Sequence, residues 1–158
     1  MPSLACVGLG SNLGDRRATL EGAIAALART SGVYVQKVSF FHETEPVGGP
    51  PGQGKYLNAA AVIETDFDAH GLLRVLEGIE AQFGRIRSVR WGERTLDLDL
   101  LLFGDEIIST LELTIPHPRL RVRRFVLEPL AEVAPEAVDP VTKRTIADLL
   151  AALEEGPT

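Results

Sequence analysis

The sequence has one cysteine and no long apolar run, and each shortage excludes a class of protein. A lone Cys6 among 158 residues cannot form an intramolecular disulfide, and we expect it to be a small buried core residue. The most apolar stretch, residues 98–103, is too short to cross a bilayer, and the N-terminus lacks the features of an export signal. We therefore expect a cytoplasmic protein.

Basic charge is scarce overall but concentrated in one part of the chain. The net charge of −6 argues against nucleic-acid binding through a basic face. Only three lysines accompany thirteen arginines, and eight of the arginines fall between positions 85 and 124. Because guanidinium groups bind phosphate oxygens bidentately, this clustering favours a site for a polyanion held with metal. The clustered residues are Arg85, Arg87, Arg90, Arg94, Arg119, Arg121, Arg123 and Arg124.

Residues 90–104, RWGERTLDLDLLLFG, carry two aspartates one residue apart in a strongly apolar run. Side chains alternate along a β-strand, so Asp97 and Asp99 share one face while the leucines at 96, 98, 100 and 102 share the other. The two carboxylates would then lie roughly 6 to 7 Å apart. A half-buried pair of anions needs either a cation or a shared proton, and the pattern alone leaves both open.

Apolar periodicity and turn residues predict the scaffold. Strands are expected over residues 3–9, 33–41, 56–65 and 95–103, and helices over residues 15–29 and from Asp68 to the glycine at 84. This order indicates an α/β (α+β) ferredoxin-like βαββαβ sandwich, with helices over one face of a mainly antiparallel sheet. An extra edge strand at 106–109 and two C-terminal helices, 123–134 and 145–155, complete a single predicted domain over residues 1–158. We expect the phenylalanines at 40, 41 and 67 to be core residues.

Two long stretches, residues 44–55 and 84–94, lack the pattern of a helix or strand. Long loops in a compact domain are usually functional or disordered. Tyr56 and Asn58 follow the first loop on one face of a strand and suit a flat heterocycle, although a surface tyrosine and a turn asparagine are the simpler alternative. The second loop carries four arginines and Trp91 and leads into the aspartate strand. We favour a lid over phosphates there, against the alternative of a merely solvated basic loop.

Four sequence runs, in the same order, resemble one known family. They are GLGSNLGDR, TEPVG with YLNAA, GRIRSVRWGERTLDLDLLLFG, and LTIPHPRLRVRRFVLEPLAEVAPE, within residues 7–140. The chain resembles the 6-hydroxymethyl-7,8-dihydropterin pyrophosphokinases of folate biosynthesis. The resemblance implies a ferredoxin-like fold, a requirement for ATP and Mg²⁺, and transfer of the β,γ-pyrophosphoryl group of ATP to the pterin hydroxymethyl oxygen, with release of AMP.

The resemblance also implies roles for individual residues. Asp97 and Asp99 would be the metal ligands, holding two Mg²⁺ ions that bridge the triphosphate. The implied catalytic residues are Arg85, Arg94, Asp97 and Asp99. The implied pterin-binding residues are Thr44, Val47, Tyr56, Asn58, Trp91 and Phe125. The implied ATP-binding residues are Glu80, Arg85, Arg87, Trp91, Arg94, Leu100, His117 and Arg123.

Two other classes of function remain alternatives. The chain lacks a GxxxxGK[ST] phosphate loop, so phosphate binding cannot rest on that motif. A metal-dependent nuclease or phosphohydrolase would also pair aspartates with Mg²⁺, and a ferredoxin-like RNA-binding module would need exposed aromatics and a basic sheet face. Formation of AMP in strict dependence on the pterin separates the three. We expect small-molecule substrates, no nucleic-acid or membrane partner, and a monomer.

Overall fold

The computed structural model describes residues 2–12, 15–44, 55–83 and 96–155. Within these ranges the chain forms seven β-strands, four α-helices and one 3₁₀ helix. In chain order they are β1 (Ser3–Ser11), α1 (Arg16–Arg29), β2 (Val33–Val38), β3 (His42–Thr44), β4 (Tyr56–Thr65), α2 (Ala69–Gln82), β5 (Asp97–Phe103), β6 (Ile108–Ser109), β7 (Thr114–Ile115), the 3₁₀ helix (Leu120–Val122), α3 (Arg124–Val133) and α4 (Ile146–Glu155).

The first two helices begin at aspartate N-caps. The carboxylate of Asp15 accepts a hydrogen bond from the Ala18 N–H at 3.1 Å, and that of Asp68 accepts from the Gly71 N–H at 2.7 Å. An N-cap side chain satisfies one of the amide groups that the first helical turn leaves without a partner. The predicted cap at Asp68 is confirmed.

The main sheet is antiparallel in every pairing, with the strand order β2-β4-β1-β5, and β3 also pairs with β4. Leucines of α1 and α2, such as Leu20 and Leu72, pack against one sheet face, and those of α3 and α4, such as Leu127 and Leu149, pack against the other. The antiparallel sandwich with two C-terminal helices is therefore confirmed. Cys6 is buried under α3 and α4 as expected, and burial raises the pKa of its thiol to about 12.

A β-bulge in β5 reverses which of its side chains point to each face of the sheet. Cys6 of β1 lies opposite Leu102, but the next residue, Val7, lies opposite Leu100, so Leu101 has no counterpart. Leu98 and Leu100 pack with α1 and α2, whereas Leu101 and Leu102 pack with α3 and α4. The prediction that Leu102 shares a face with Leu98 is wrong, because the inserted residue reverses the alternation. Both aspartates precede the bulge, so their shared face is unaffected.

The predicted strand over residues 33–41 ends early, because β2 stops at Val38 and the next strand, β3, begins only at His42. Ser39 interrupts it, and its hydroxyl accepts the Ala60 N–H at 2.9 Å while its own N–H donates to the Ala60 carbonyl at 2.9 Å. Phe40, at the break, is 83% exposed, so its assignment to the core is wrong. Phe41 and Phe67 are partly buried against the core, as expected.

The extra strand near residue 108 does not extend the main sheet. β6 and β7 pair with each other as a separate two-stranded sheet, with Ile108 opposite Ile115. This hairpin leads the chain back to β5, where the His117 N–H donates to the Leu101 carbonyl at 3.0 Å. The hairpin thereby brings His117 next to the aspartate strand.

A buried carboxylate joins the 3₁₀ helix to the turn before α4. Asp139 is fully buried and accepts the Arg121 guanidinium through Nε at 2.5 Å and Nη2 at 3.0 Å. It also accepts the Val141 N–H and the Thr142 hydroxyl. Burial by itself would raise the pKa of Asp139, but these four hydrogen bonds outweigh it and lower the pKa from 3.8 to about 2.

We expect Asp139→Asn to lower the free energy of unfolding at pH 6 by about 2 kcal/mol or more, because the native carboxylate loses its charge-assisted bonds. Since the folded pKa is depressed, this stabilisation is present above pH 4 and is lost between about pH 4 and pH 2 as the carboxylate protonates. Urea denaturation at pH 6 and pH 3 measures it, with Glu136→Gln, an exposed neighbour, as the control. Equal stability of the Asp139 variant and wild type at pH 6 would contradict the assignment.

Candidate functional site

A pocket lies at one end of the main sheet, where β1, β3, β4 and β5 meet the start of α3. β1 lines the pocket with three residues, Gly8, Leu9 and Gly10. The other lining residues described by the structure are Thr44, Tyr56, Asn58, Ala59, Asp97, Asp99, Arg123, Phe125 and Val126. Seven predicted pterin, metal or phosphate residues, from β3, β4, β5 and the start of α3, therefore line one cavity: Thr44, Tyr56, Asn58, Asp97, Asp99, Arg123 and Phe125.

The two aspartates line this pocket side by side. Gly10 lies opposite Asp97 and Gly8 opposite Asp99 in the β1–β5 register, so no β1 side chain fills the space next to either carboxylate. The Asp99 side chain is 38% exposed, and its Oδ1 lies 3.9 Å from Nε2 of His117. The aspartates are thus accessible from the cavity and not turned into the apolar core.

This arrangement suits a hard divalent cation that takes most of its ligands from elsewhere. Among the described residues, no cluster of three or more histidine, cysteine or acidic side chains could hold a metal by itself. Mg²⁺ typically binds one or two carboxylates and completes its octahedron with water and substrate phosphate oxygens. Two accessible carboxylates above a glycine floor fit that requirement.

His117 lies next to Asp99 and close to Arg119 and Arg123. The Arg119 N–H donates to its Nδ1 at 3.2 Å, so the neutral ring carries its proton on Nε2, the nitrogen nearer Asp99. Burial and then the neighbouring Arg123 lower the pKa of His117 below its ordinary value, although Asp97 opposes them. The ring is therefore a neutral hydrogen-bond donor at pH 7.

Asn58 is held in one orientation at the back of the pocket. The side chain is buried, and its Nδ2 donates to the Thr44 hydroxyl at 2.5 Å. Its Oδ1 lies 2.9 Å from the position that a Cβ on Gly10 would occupy, which is closer than a real Cβ approaches any atom. Position 10 must therefore remain glycine if Asn58 is to keep this orientation.

The sequence reasoning missed Gly8 and Gly10 as site residues. The first strand was predicted to end at residue 9, whereas β1 continues to Ser11 and includes Gly10. A usable signal was present, because glycines at alternate positions within an apolar strand mark the close approach of another group.

An arginine and two aromatic rings form the rest of the pocket wall. Tyr56 begins β4, and Phe125 belongs to the first turn of α3. The Arg123 guanidinium lies 5.4 Å from the centre of the Phe125 ring, within the range of a cation–π contact. The positive charge of Arg123 is consequently held at the cavity edge.

A second pocket lies beside the first, between β5 and the β6–β7 hairpin. Asp99 lines both pockets, and His117 and Leu100 line the second. Leu98, Leu113 and Thr114 are also part of its wall. The predicted ATP residues Leu100 and His117 are thus brought together on one side of Asp99.

Glu80, another predicted ATP residue, lies outside both sets of lining residues. It is buried, and its Oε2 accepts the Leu98 N–H at 2.8 Å, between the two aspartates in sequence. β5 is an edge strand, so this carboxylate supplies a hydrogen-bond acceptor where a further strand would otherwise do so. The contact places Glu80 behind the aspartate strand, and its nucleotide role stays a prediction.

Five predicted site residues fall outside the described ranges. They are Val47, Arg85, Arg87, Trp91 and Arg94. Their assignments to the pterin pocket, the phosphates and catalysis remain predictions from the sequence.

Comparison with known families assigns the chain. A family model for 7,8-dihydro-6-hydroxymethylpterin-pyrophosphokinase (HPPK) matches residues 6–135. The chain belongs to this family. The match includes every residue of the two pockets, and membership decides against the nuclease and RNA-binding alternatives.

Curated HPPK relatives are similar over most of the chain. A 2-amino-4-hydroxy-6-hydroxymethyldihydropteridine pyrophosphokinase of Synechocystis sp. is 44% identical over 146 residues, which are 92% of this chain and 74% of the relative. The protein of the same name from Bacillus subtilis is 48% identical over 133 residues, which are 84% and 79% of the two chains.

Solved HPPK structures share the fold. An HPPK-DHPS crystallised in complex with substrates aligns with a TM-score of 0.75 at 14% identity, over 98% of this chain and 44% of that chain. The wild-type Plasmodium falciparum HPPK-DHPS with pteroate aligns with a TM-score of 0.75 at 16% identity, over 96% and 42%. This chain therefore spans less than half the length of either structure, and the likeness establishes the fold alone. None of the helices that the structure describes is long and apolar enough to span a membrane.

Proposed function

We propose that the two pockets bind the two substrates of an HPPK reaction, with the aspartates between them. Pyrophosphate transfer to the hydroxymethylpterin is the activity for which the family and its curated relatives are named, and ATP follows as the co-substrate. The observation that carries the assignment of the site is that Asp99 lines both pockets. With ATP in one pocket and the pterin in the other, the phosphates that are transferred would lie next to Asp97 and Asp99.

The first pocket suits a flat, polar heterocycle. Tyr56 and Phe125 offer aromatic surface for a pterin ring, while Thr44 and Asn58 offer polar atoms for its edge. Because one Asn58 Nδ2 hydrogen is engaged by Thr44, the amide has one N–H and its carbonyl oxygen for the ligand. An amide fixed in this way can distinguish donors from acceptors on the ring edge.

The second pocket suits the nucleoside of ATP. Its leucines at positions 98, 100 and 113 provide apolar surface, and Thr114 and His117 provide polar atoms at its rim. From this pocket the triphosphate would extend past the Nε2–H of His117 to Arg123. The neutral His117 ring donates a hydrogen bond and Arg123 supplies a positive charge, and both favour binding of the anionic phosphates.

Asp97 and Asp99 would hold Mg²⁺ together with phosphate oxygens, and the expected number of two ions is part of this proposal. When bound, Mg²⁺ neutralises phosphate charge and polarises the group that is transferred. The protein's own contribution is to position acceptor and phosphates and to present fixed charges to them, which dominates phosphoryl transfer in general. Arg85 and Arg94 are proposed to contact the transferring phosphates on the grounds of the sequence resemblance.

The function is tested by incubating the protein with ATP and Mg²⁺, with and without 6-hydroxymethyl-7,8-dihydropterin, and separating the nucleotides. We expect AMP and the pterin pyrophosphate in equal amounts, and no AMP without the pterin. Release of ADP, or nucleotide hydrolysis that does not depend on the pterin, would contradict the proposal. The cytoplasmic location and the monomeric state remain predictions.

Tyr56→Ala tests the pterin pocket. We expect the Kd of the pterin to rise about twenty-fold, because the variant loses ring contact and apolar burial, while the Kd of ATP changes less than about two-fold. Calorimetric titration with each ligand measures both constants. Tyr34→Ala is the control, since Tyr34 is 52% exposed on β2 and donates to Asp66. Equal losses for pterin and ATP would mean that the Tyr56 ring is structural.

A further inference from the structure

Arg16, the first residue of α1, contacts both strands that carry the proposed pterin residues. Its Nη1 donates to the Lys55 carbonyl at 2.7 Å, and its Nη2 donates to the Glu43 carboxylate at 2.9 Å. Glu43 immediately precedes Thr44, and Lys55 immediately precedes Tyr56. One guanidinium therefore links Glu43, the middle residue of β3, to the residue that precedes β4.

β3 needs such contacts because it is short and lies at an edge. It has three residues, and its only strand partner in the described structure is β4, with Thr44 opposite Tyr56. Side chains also hold β3: Arg16 and Lys55 both contact the Glu43 carboxylate, with Lys55 Nζ 4.0 Å from Oε1, and His42 contacts Glu132 of α3. Asn58 of β4 donates to Thr44, and just before β3 the Arg17 guanidinium lies over the Phe41 ring at 4.9 Å. Arg16 is the contact that ties both segments to α1, because its second nitrogen reaches the Lys55 carbonyl.

The position of Arg16 is itself well defined. Asp15 caps α1, so the backbone of the first helical turn is set by the helix and its packing. The hydrogen bond from Arg16 lowers the pKa of Glu43 from its ordinary value. A planar guanidinium that donates to two acceptors fixes their relative positions, whereas the point charge of a lysine ammonium does not.

We propose that Arg16 is a positioning residue for the pterin pocket, which fixes the spacing of Thr44 and Tyr56 by linking Glu43 to the Lys55 carbonyl. Arg16 does not line the pocket and acts through its two partners. This inference rests on the proposed pterin site. It adds a residue from α1, an element that contributes no lining residue to either pocket.

The test is a double-mutant cycle in the full chain, with the Kd of 6-hydroxymethyl-7,8-dihydropterin and of ATP measured by titration. We expect Arg16→Met to raise the Kd of the pterin about five-fold and to leave that of ATP within about two-fold, because two partly exposed charge-assisted contacts are lost. Glu43→Gln should have a smaller effect, since the hydrogen bond from Arg16 to the Lys55 carbonyl remains. The double variant should bind the pterin no more weakly than Arg16→Met alone.

A conservative replacement and a matched control variant are measured alongside the cycle. Arg16→Lys should bind the pterin with intermediate affinity, because one ammonium group does not match the two-pronged geometry. Arg144→Met removes an exposed arginine far along the chain and should change neither Kd. Thermal denaturation of each variant reports any general loss of structure.

Three outcomes would overturn the positioning role: an unchanged pterin Kd in Arg16→Met, equal losses for pterin and ATP, or strictly additive effects of the two substitutions. Failure of the proposed pterin site gives a different result, because wild-type protein would then not bind the pterin at all. Pterin binding by wild type with no change in Arg16→Met rejects the positioning role alone.

Discussion

Asp97→Asn and Asp99→Asn will each lower kcat/KM for pyrophosphate transfer by about a thousand-fold or more, because each removes an anionic oxygen ligand of the divalent ion while keeping the shape of the side chain. Both carboxylates face the cavity opposite glycines, so neither substitution disturbs the apolar side of β5. Pterin-dependent AMP formation over a range of Mg²⁺ concentrations measures the effect. The concentration of Mg²⁺ needed for half-maximal rate should rise in both variants.

The matched control for this prediction is Asp105→Asn. Asp105 lies in the exposed turn that follows β5, so its loss removes one acidic charge near the same strand without reaching either pocket. We expect wild-type rates and wild-type Mg²⁺ dependence for this variant. Normal Mg²⁺-dependent turnover in a folded Asp97 or Asp99 variant would reject the metal assignment.

Arg123→Met should lower kcat/KM for ATP by about a hundred-fold, because a preorganised cation beside developing phosphate charge contributes that order of stabilisation. The guanidinium lies at the edge of the first pocket and close enough to His117 to lower its pKa. Methionine retains much of the length and apolar surface that packs on Phe125. We therefore expect the pterin Kd to change far less than kcat/KM for ATP.

Its neighbour in sequence provides the control for Arg123. Arg124 is exposed on α3 and pairs with Glu128 one turn later, with Nε 3.4 Å from the carboxylate. Arg124→Met changes the net charge equally but should leave both substrates' kinetics near wild type. Similar losses in the two variants would show that only the overall positive charge of the segment matters.

Sequence reasoning predicted the features that depend on local patterns. The alternation of a strand was enough to place Asp97 and Asp99 on one face, and apolar periodicity with an acidic cap was enough to place α2 after Asp68. Such patterns involve residues within one or two turns of each other. Their outcome therefore hardly depends on the rest of the molecule.

Local sequence patterns did not predict the contacts between distant segments. The bulge at Leu101 depends on how β5 pairs with β1, and the need for glycine at position 10 depends on Asn58 of β4. Arg16 likewise lies 27 and 39 residues from its two partners. Phe40 was assigned to the core by its apolar character, but the interruption at Ser39 exposes it.

By itself, the sequence determined which residue types were available, where most of the helices and strands would form, and the resemblance that pointed to the family. Only the tertiary structure decided that Asp99 would be shared by two cavities and that glycines would face the aspartates. The physical reason is that side-chain alternation and helix capping are properties of neighbouring residues. Cavities and cross-strand register come instead from the packing of elements that are far apart in the chain, which no local pattern records.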